Sequence, residues 1–196
     1  MVMAHAAWLG TMRPADIRAA EMEGEARTGK VRLAQRPDRH GRPILVFDNS
    51  KENTWDAAAN IRHLVFHLWR AVAALPPGVD KFCIFIHLAD FSLWSSPPIA
   101  VTRETLSVLL DHFPERLGHC VLYQAPWLFS SFYSAACVFI DEKTQSKIRC
   151  AARARWGDAY PYGRGRGRTR GAGRVHLTPR ARRCWRTPGP GFCLET

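Results

Sequence analysis

Two histidines, His63 and His67, stand four residues apart in "NIRHLVFHLWR", a spacing that sets both imidazoles on one side of a helix and can clasp a metal ion. The chain gives them no H-E-x-x-H pattern and no well-placed acid or cysteine, so an ordinary histidine pair is the better reading. Nucleophilic chemistry has as little support. Serines cluster in "FSLWSSPP", without a G-x-S-x-G turn or an ordered Ser, Asp, His set. "GRGRGR" lacks the lysine and the following helix of a phosphate loop. The six cysteines (Cys83, Cys120, Cys137, Cys150, Cys184, Cys193) form no C-x-x-C pair, which speaks for reduced thiols rather than a disulfide framework. Glu195 makes the terminal "CLET" a poor prenylation box. No enzyme and no metal centre are expected. What remains is a charged corner. In "HFPERLGHCVLYQAP", residues 112–126, Glu115 and Arg116 stand directly before an apolar strand that runs on into the aromatic stretch "PWLFSSFYSAACVFI".

The elements that must position this corner follow from periodicity. Residues 5–27 read as a weak helix pair broken at Pro14. "KVRLAQR" and "PILVF" are short strands flanking the turn-rich "PDRHGR". From Thr54 to Leu75, Ile61, Leu64, Val65, Leu68, Val72 and Leu75 form a helical stripe that "PPG" terminates. "FCIFIHL" is continuously apolar, as a parallel strand covered on both faces should be. "VTRETLSVLLDHF" is an amphipathic helix, "HCVLYQ" a strand, the aromatic stretch a helix, and "SKIRC" the start of one more strand. This alternation predicts an α/β fold, three layers α/β/α, with a mostly parallel sheet and flanking helices. Ligands of open α/β sheets usually sit beyond the carboxyl ends of the strands, so the corner before the strand and the turn after it are both places for a site.

The formal charge of +11 divides unevenly along the 196 residues. Residues 1–150 hold 17 Lys/Arg and 15 Asp/Glu, whereas residues 151–196 hold 11 Arg, no Lys and two acids. The Arg/Gly/Pro-rich stretch 150–196 cannot bury enough apolar surface to offset its chain entropy, so a disordered tail is expected there. Such a tail can bind nucleic acid or anionic membrane weakly by counterion release. No protein partner can be inferred. No run of 18 apolar residues predicts a transmembrane helix, and the start lacks the basic n-region of a signal peptide.

Residues 28–149 resemble the CRAL-TRIO lipid-binding domain family, to which the yeast-type phosphatidylinositol/phosphatidylcholine transfer proteins belong. The resemblance is carried by "TGKVRLAQRPDRHGRPILVF", "LPPG", "FCIFIHLADFSL", "RETLSVLLDHFPERLGHCVLYQAPWLFSSFY" and "FIDEKTQSKI". It implies a bound phospholipid, with phosphatidylinositol the expected ligand, in place of any cofactor. It also implies a cytoplasmic protein that associates peripherally with membranes. In family members that bind this lipid, the headgroup is held by the Glu of Pro-Glu-Arg and by the Thr and Lys of D-x-x-T-x-x-K, which fall here on Glu115, Thr144 and Lys147. The carboxylate accepts from inositol hydroxyls, while hydroxyl and ammonium donate to phosphate. Arg116 is expected to tie the corner rather than touch ligand. The acyl chain would lie among Phe82, Ile84 and Ile86 on the strand floor and Phe129, Phe132 and Tyr133 on the aromatic helix.

Three departures from the family qualify this. Residues 1–27 keep only a remnant of the N-terminal helical region. "FIHLADFS" has His87 where an acid is usual and Asp90 where a glycine is. After "SKI" the family continues through a strand, a further helix and a Leu-Pro/Gly-Gly segment, where this chain turns Arg-rich. Weakened lipid transfer, with incomplete cover for the acyl chain, is the expectation.

Overall fold

The computed structural model describes residues 2–53, 56–92 and 99–151. The expected disordered tail, and with it nucleic-acid binding by the tail, lies outside the described residues except for its first two positions, which belong to a strand. The same is true of most of "FSLWSSPP".

Five strands form one sheet in the order β1-β2-β3-β4-β5: Val31–Leu33, Ile44–Asp48, Phe82–His87, Leu117–Tyr123 and Ile148–Ala151. Only β1 runs antiparallel to its neighbour, and every later pair is parallel. Parallel neighbours need crossovers. Helix α3 (Ala57–Ala73) joins β2 to β3, and α4 (Ile99–Ser107) lies between β3 and β4. Helices α5 (Phe129–Ala136) and α6 (Glu142–Ser146) join β4 to β5. The result is the α/β fold with flanking helices that the alternation predicts.

Register explains the core. Leu45, Ile84, Cys120 and Ile148 stand abreast across four strands, and Phe47, Ile86, Leu122 and Cys150 form the next row on the same face. The stripe Ile61, Leu64, Val65 and Leu68 of α3 belongs to the same buried cluster. Helix α3 starts where Asp56 accepts from Ala58 N and Ala59 N at 2.9 and 3.1 Å, satisfying donors that a helix start leaves open. The other face of the sheet carries Val46, Phe85, Val121 and Arg149 abreast, then Asp48, His87, Tyr123 and Ala151. Strand β3 is therefore buried only over Phe82, Cys83 and Ile84, while Phe85, Ile86 and His87 are half-buried. The expected cover on both faces holds for its first half, because the second ends in a polar row.

At the N-terminus, α1 (Val2–Met12) forms as a helix, but the expected second helix is broken. Pro14–Asp16 and Ala19–Met22 are separate 3-10 turns, and α2 spans only Glu23–Ala26. Between the turns Ile17 and Arg18 are extended, which lets Ile17 and Met22 both reach the core. Tertiary burial outweighs local helix preference there.

That segment is locked by a group the sequence does not announce. Lys30 is 3% exposed, and its ammonium donates to Glu25, to Glu52 Oε1 at 2.7 Å and to Asn60 Oδ1 at 2.7 Å. A buried ammonium is tolerable only with such a shell of acceptors. Nearby, His63 and His67 are buried with their Nε2 atoms 3.1 Å apart. Burial pushes both imidazoles down to about 4, aided by the Lys30 charge for His63 and by the His63 and Arg70 charges for His67. Among the described residues no group of three metal-ligating side chains forms. Among the described residues Cys83, Cys120, Cys137 and Cys150 form no disulfide, and burial raises Cys120 to about 12.

Candidate headgroup site

Two motifs that sequence analysis treats separately are packed against each other. Asp38 Oδ1 accepts from His40 N and Arg42 N, and Oδ2 accepts from Arg42 Nε at 2.7 Å, which folds the "PDRHGR" turn around one carboxylate. The Arg42 side chain then crosses β4 at Gly118, where an added Cβ would stand 3.0 Å from Arg42 Nη1 and 3.3 Å from Phe82 O. Gly-Arg-Pro and Pro-Glu-Arg-Leu-Gly are thus the two halves of one contact at the amino ends of the strands.

On that edge Pro114 and Glu115 form a tight turn, closed by Arg116 N donating to Phe113 O at 3.3 Å. Proline in the second place is ordinary for such a turn, and the third place calls for φ above zero, which glycine meets without strain. Here it is Glu115, at φ 58°. A non-glycine residue held in this conformation stores strain of the kind concentrated at functional sites. Arg116 is engaged elsewhere: its Nη1 donates to Asp80 O at 3.0 Å, tying the corner as expected.

Helix α6 supplies the other side of the cluster. Asp141 caps it, accepting from Thr144 N at 2.9 Å. The Thr144 side chain also hydrogen-bonds this carboxyl, and these bonds hold Asp141 below its ordinary range. Lys147 ends the helix directly before β5. Glu115 thus faces two ammoniums. Lys143 Nζ donates to Oε1 at 2.7 Å, and Lys147 Nζ lies 3.6 Å from Oε2. The hydrogen bond from Lys143 and the charges of both lysines lower the Glu115 carboxyl below its usual value. Glu115 and Lys147, 32 residues apart in the chain, meet directly, whereas Thr144 is one helical turn away and turned to its own cap. Lys143 is the partner that sequence analysis misses. Its four-residue spacing from Lys147 is the visible signal.

This edge is formed by the amino ends of β4 and β5, opposite to the carboxyl ends where open α/β sheets usually hold ligands. At the carboxyl end His87 joins three strands: Nδ1 lies 3.1 Å from Asp48 Oδ1 and Nε2 lies 3.2 Å from Gln124 Oε1. Burial raises the Asp48 carboxyl, but hydrogen bonds from Ser50 and His87 and the charges of His87 and Lys51 outweigh it, and the net shift is downward. His87 finds an acid on the neighbouring strand.

The six side chains expected around an acyl chain belong to or pack against one core cluster. Phe82, Ile84, Phe129 and Tyr133 are buried, and Ile86 and Phe132 are half-buried against them. Phe91 packs edge-on to Phe129, centroids 5.0 Å apart. An open hollow of about 540 Å³ is lined by Ile99, Ala100, Arg103, Glu104, Ser107 and Phe139, none of them among these six. Trp127 and Val138, at the two ends of α5, are 65% and 73% exposed.

A five-stranded sheet, parallel except for β1 and with helices in its crossovers, defines an α/β class, and comparison with known proteins narrows it. The family model described as "CRAL/TRIO domain" matches residues 26–160, and the chain belongs to this family. A CRAL-TRIO domain-containing protein of Schizosaccharomyces pombe is 35% identical over 129 residues, 66% of this chain and 13% of that protein. The phosphatidylinositol transfer protein PDR17 of Saccharomyces cerevisiae is 32% identical over 118 residues, 56% of this chain and 33% of that protein. The SEC14 cytosolic factor of Yarrowia lipolytica is 26% identical over 129 residues, 57% of this chain and 26% of that protein. The chain therefore spans a third or less of the length of these curated relatives. The crystal structure of Sfh5 superposes with a TM-score of 0.59 at 13% identity, covering 73% of this chain and 56% of that one, which is a likeness of fold.

Proposed function

We propose that the chain is a phospholipid-binding module that holds an inositol lipid rather than transforming one. Glu115 accepts from the ring hydroxyls, Lys147 neutralises the phosphodiester, and Thr144 adds a directed hydrogen bond once its hydroxyl turns from Asp141. The observation that carries this reading is the strained Glu115, at φ 58° with both carboxylate oxygens facing lysines of α6. Its relative PDR17 is named as a phosphatidylinositol transfer protein, which supports the lipid class. Residues 28–149 form the lipid-binding unit, and residues 1–27, a remnant of the N-terminal helical region, pack into its core through Ile17 and Met22.

The acyl chain belongs among Phe82, Ile84, Ile86, Phe129, Phe132 and Tyr133. Each methylene taken from a bilayer needs apolar burial worth about 0.8 kcal/mol, so a long chain requires on the order of 10 kcal/mol of it. Bonds to an exposed headgroup cannot replace that burial. These side chains belong to or pack against one core cluster, so a lipid enters among them by displacing α5 outward. Trp127, Val138 and Phe139 are the exposed apolar groups at its ends, suited to a peripheral encounter with a membrane surface at the cytosolic side. No helix among the described residues is long and apolar enough to cross a membrane. The expected weakness of transfer turns on the segment after Ala151, which lies outside the described residues.

Native mass spectrometry of the purified chain tests the reading. A co-purifying mass equal to one phosphatidylinositol is expected, and its loss from Glu115→Ala. Protein that is free of lipid after incubation with phosphatidylinositol vesicles would contradict it.

A further inference from the structure

Lys143 has no use in this reading. It lies outside the D-x-x-T-x-x-K pattern, yet its approach to Glu115, 2.7 Å, is closer than the 3.6 Å of Lys147. The two lysines stand four apart, so both ammoniums lean over the same carboxylate from one side of α6. Their freedom differs. The Lys147 side chain is 19% exposed and that of Lys143 69% exposed. Lys147 is held in place by its surroundings, whereas Lys143 can swing. The other charges nearby are turned away: Asp141 accepts from Thr144 N, Arg116 donates to Asp80 O, and Arg149 donates to the carbonyls of Ser146 and Ile148.

An inositol ring bound to Glu115 competes with the two ammoniums for its carboxylate oxygens, each of which faces one lysine and keeps a further lone pair for a hydroxyl. Lys143, the more exposed of the two, is the group that yields. A headgroup with only its phosphodiester gives its single negative charge to Lys147, and Lys143 loses its partner without replacement. A phosphomonoester on the ring carries a charge of about −1.5 to −2 at neutral pH. It returns an anion to the displaced ammonium, and the exchange is then balanced.

We propose that Lys143 is a specificity-determining residue that selects an inositol lipid bearing a ring phosphomonoester over the unphosphorylated lipid. This rests on the headgroup reading of Glu115 and Lys147. The test is co-sedimentation of the full chain with phosphatidylcholine vesicles carrying phosphatidylinositol, phosphatidylinositol 4-phosphate, or phosphatidylserine at matched total charge. Wild-type protein should favour the monophosphate over phosphatidylinositol by about fivefold or more. Lys143→Gln should bring that ratio near one, by lowering retention on the monophosphate while retention on phosphatidylinositol does not fall, and Lys143→Arg should restore it. An unchanged ratio in Lys143→Gln overturns the inference, as does equal retention on phosphatidylserine, which would make the effect one of membrane charge. Displacement by millimolar inorganic phosphate alone also overturns it, reducing the site to a simple anion site. The underlying reading fails separately, if Glu115→Ala and Lys147→Ala retain both inositides as wild type does.

Discussion

Two lysine–carboxylate assemblies sit in this molecule, and they are built to opposite ends. Around Lys30, an ammonium 3% exposed is enclosed by Glu25, Glu52 and Asn60, contributed by three separate segments. Around Glu115, a carboxylate 62% exposed faces two lysines from a single short helix. The first assembly holds every donor in a fixed shell, and exchange with solvent would leave a buried charge unpaired. The second can open at little cost, because water and salt already screen it. Fixed burial makes an ion pair structural, and exposure makes it exchangeable for a ligand.

The comparison breaks most visibly at Lys30. Lys30→Ala leaves two carboxylates partly buried without their cation and should cost about 3–5 kcal/mol, the range for removing one partner of a buried pair. Chemical denaturation measures it. A loss under 1 kcal/mol would place Lys30 with the exposed pairs.

Next in size is pH. Burial holds His63 and His67 down at about 4 in the folded protein, below the ordinary value near 6.5, so the unfolded chain binds protons that the folded chain refuses. Their contribution to stability is fully present above about 6.5 and is lost as pH falls toward 4, at up to about 1.4 kcal/mol per pH unit for each imidazole. Melting temperature should therefore fall between pH 7 and pH 5. The double substitution His63→Leu and His67→Leu should flatten that slope, and an unaltered slope would assign it elsewhere.

Glu115→Gly separates stability from function. Glycine relieves the positive φ, so the melting temperature should rise by a few degrees while retention on phosphatidylinositol vesicles drops about tenfold. A variant that is both more stable and fully lipid-binding would show that Glu115 is only a turn residue. The smallest effect belongs to Lys143→Gln, which should change stability by no more than about 0.5 kcal/mol, as for surface substitutions generally. Thermal melting beside the wild type checks that its lipid phenotype is not a folding defect.

Much of the frame was legible because it is periodic. The α3 stripe from Ile61 to Leu68, closed by Pro76-Pro77-Gly78, is a local pattern, and so are the apolar strands, whereas sequence analysis misses the Asp56 cap that starts the helix at Ala57. The break at Pro14 was legible too, but the splitting of the second helix into separate turns was not, because burying Ile17 and Met22 is decided by the core they reach. The meeting of Glu115 with Lys147 was readable only through family spacing, since nothing local in a chain brings residues 32 positions apart together. Lys143 was visible as a spacing without a partner. Lys30 was invisible, because its meaning lies in acceptors from three segments that only the fold assembles. The turn conformation of Glu115 likewise appears only in the backbone: the sequence shows Pro-Glu, and the positive φ where glycine would fit better emerges from how β4 begins.

A double-mutant cycle on phosphatidylinositol retention tests the central claim most directly, using Glu115→Ala, Lys147→Ala and the pair. Two groups that hold one headgroup are coupled, so each single change should remove most of the binding and the double change little more. Losses that simply multiply, or retention unaffected by either substitution, would contradict a shared lipid site at the amino edge of β4 and β5.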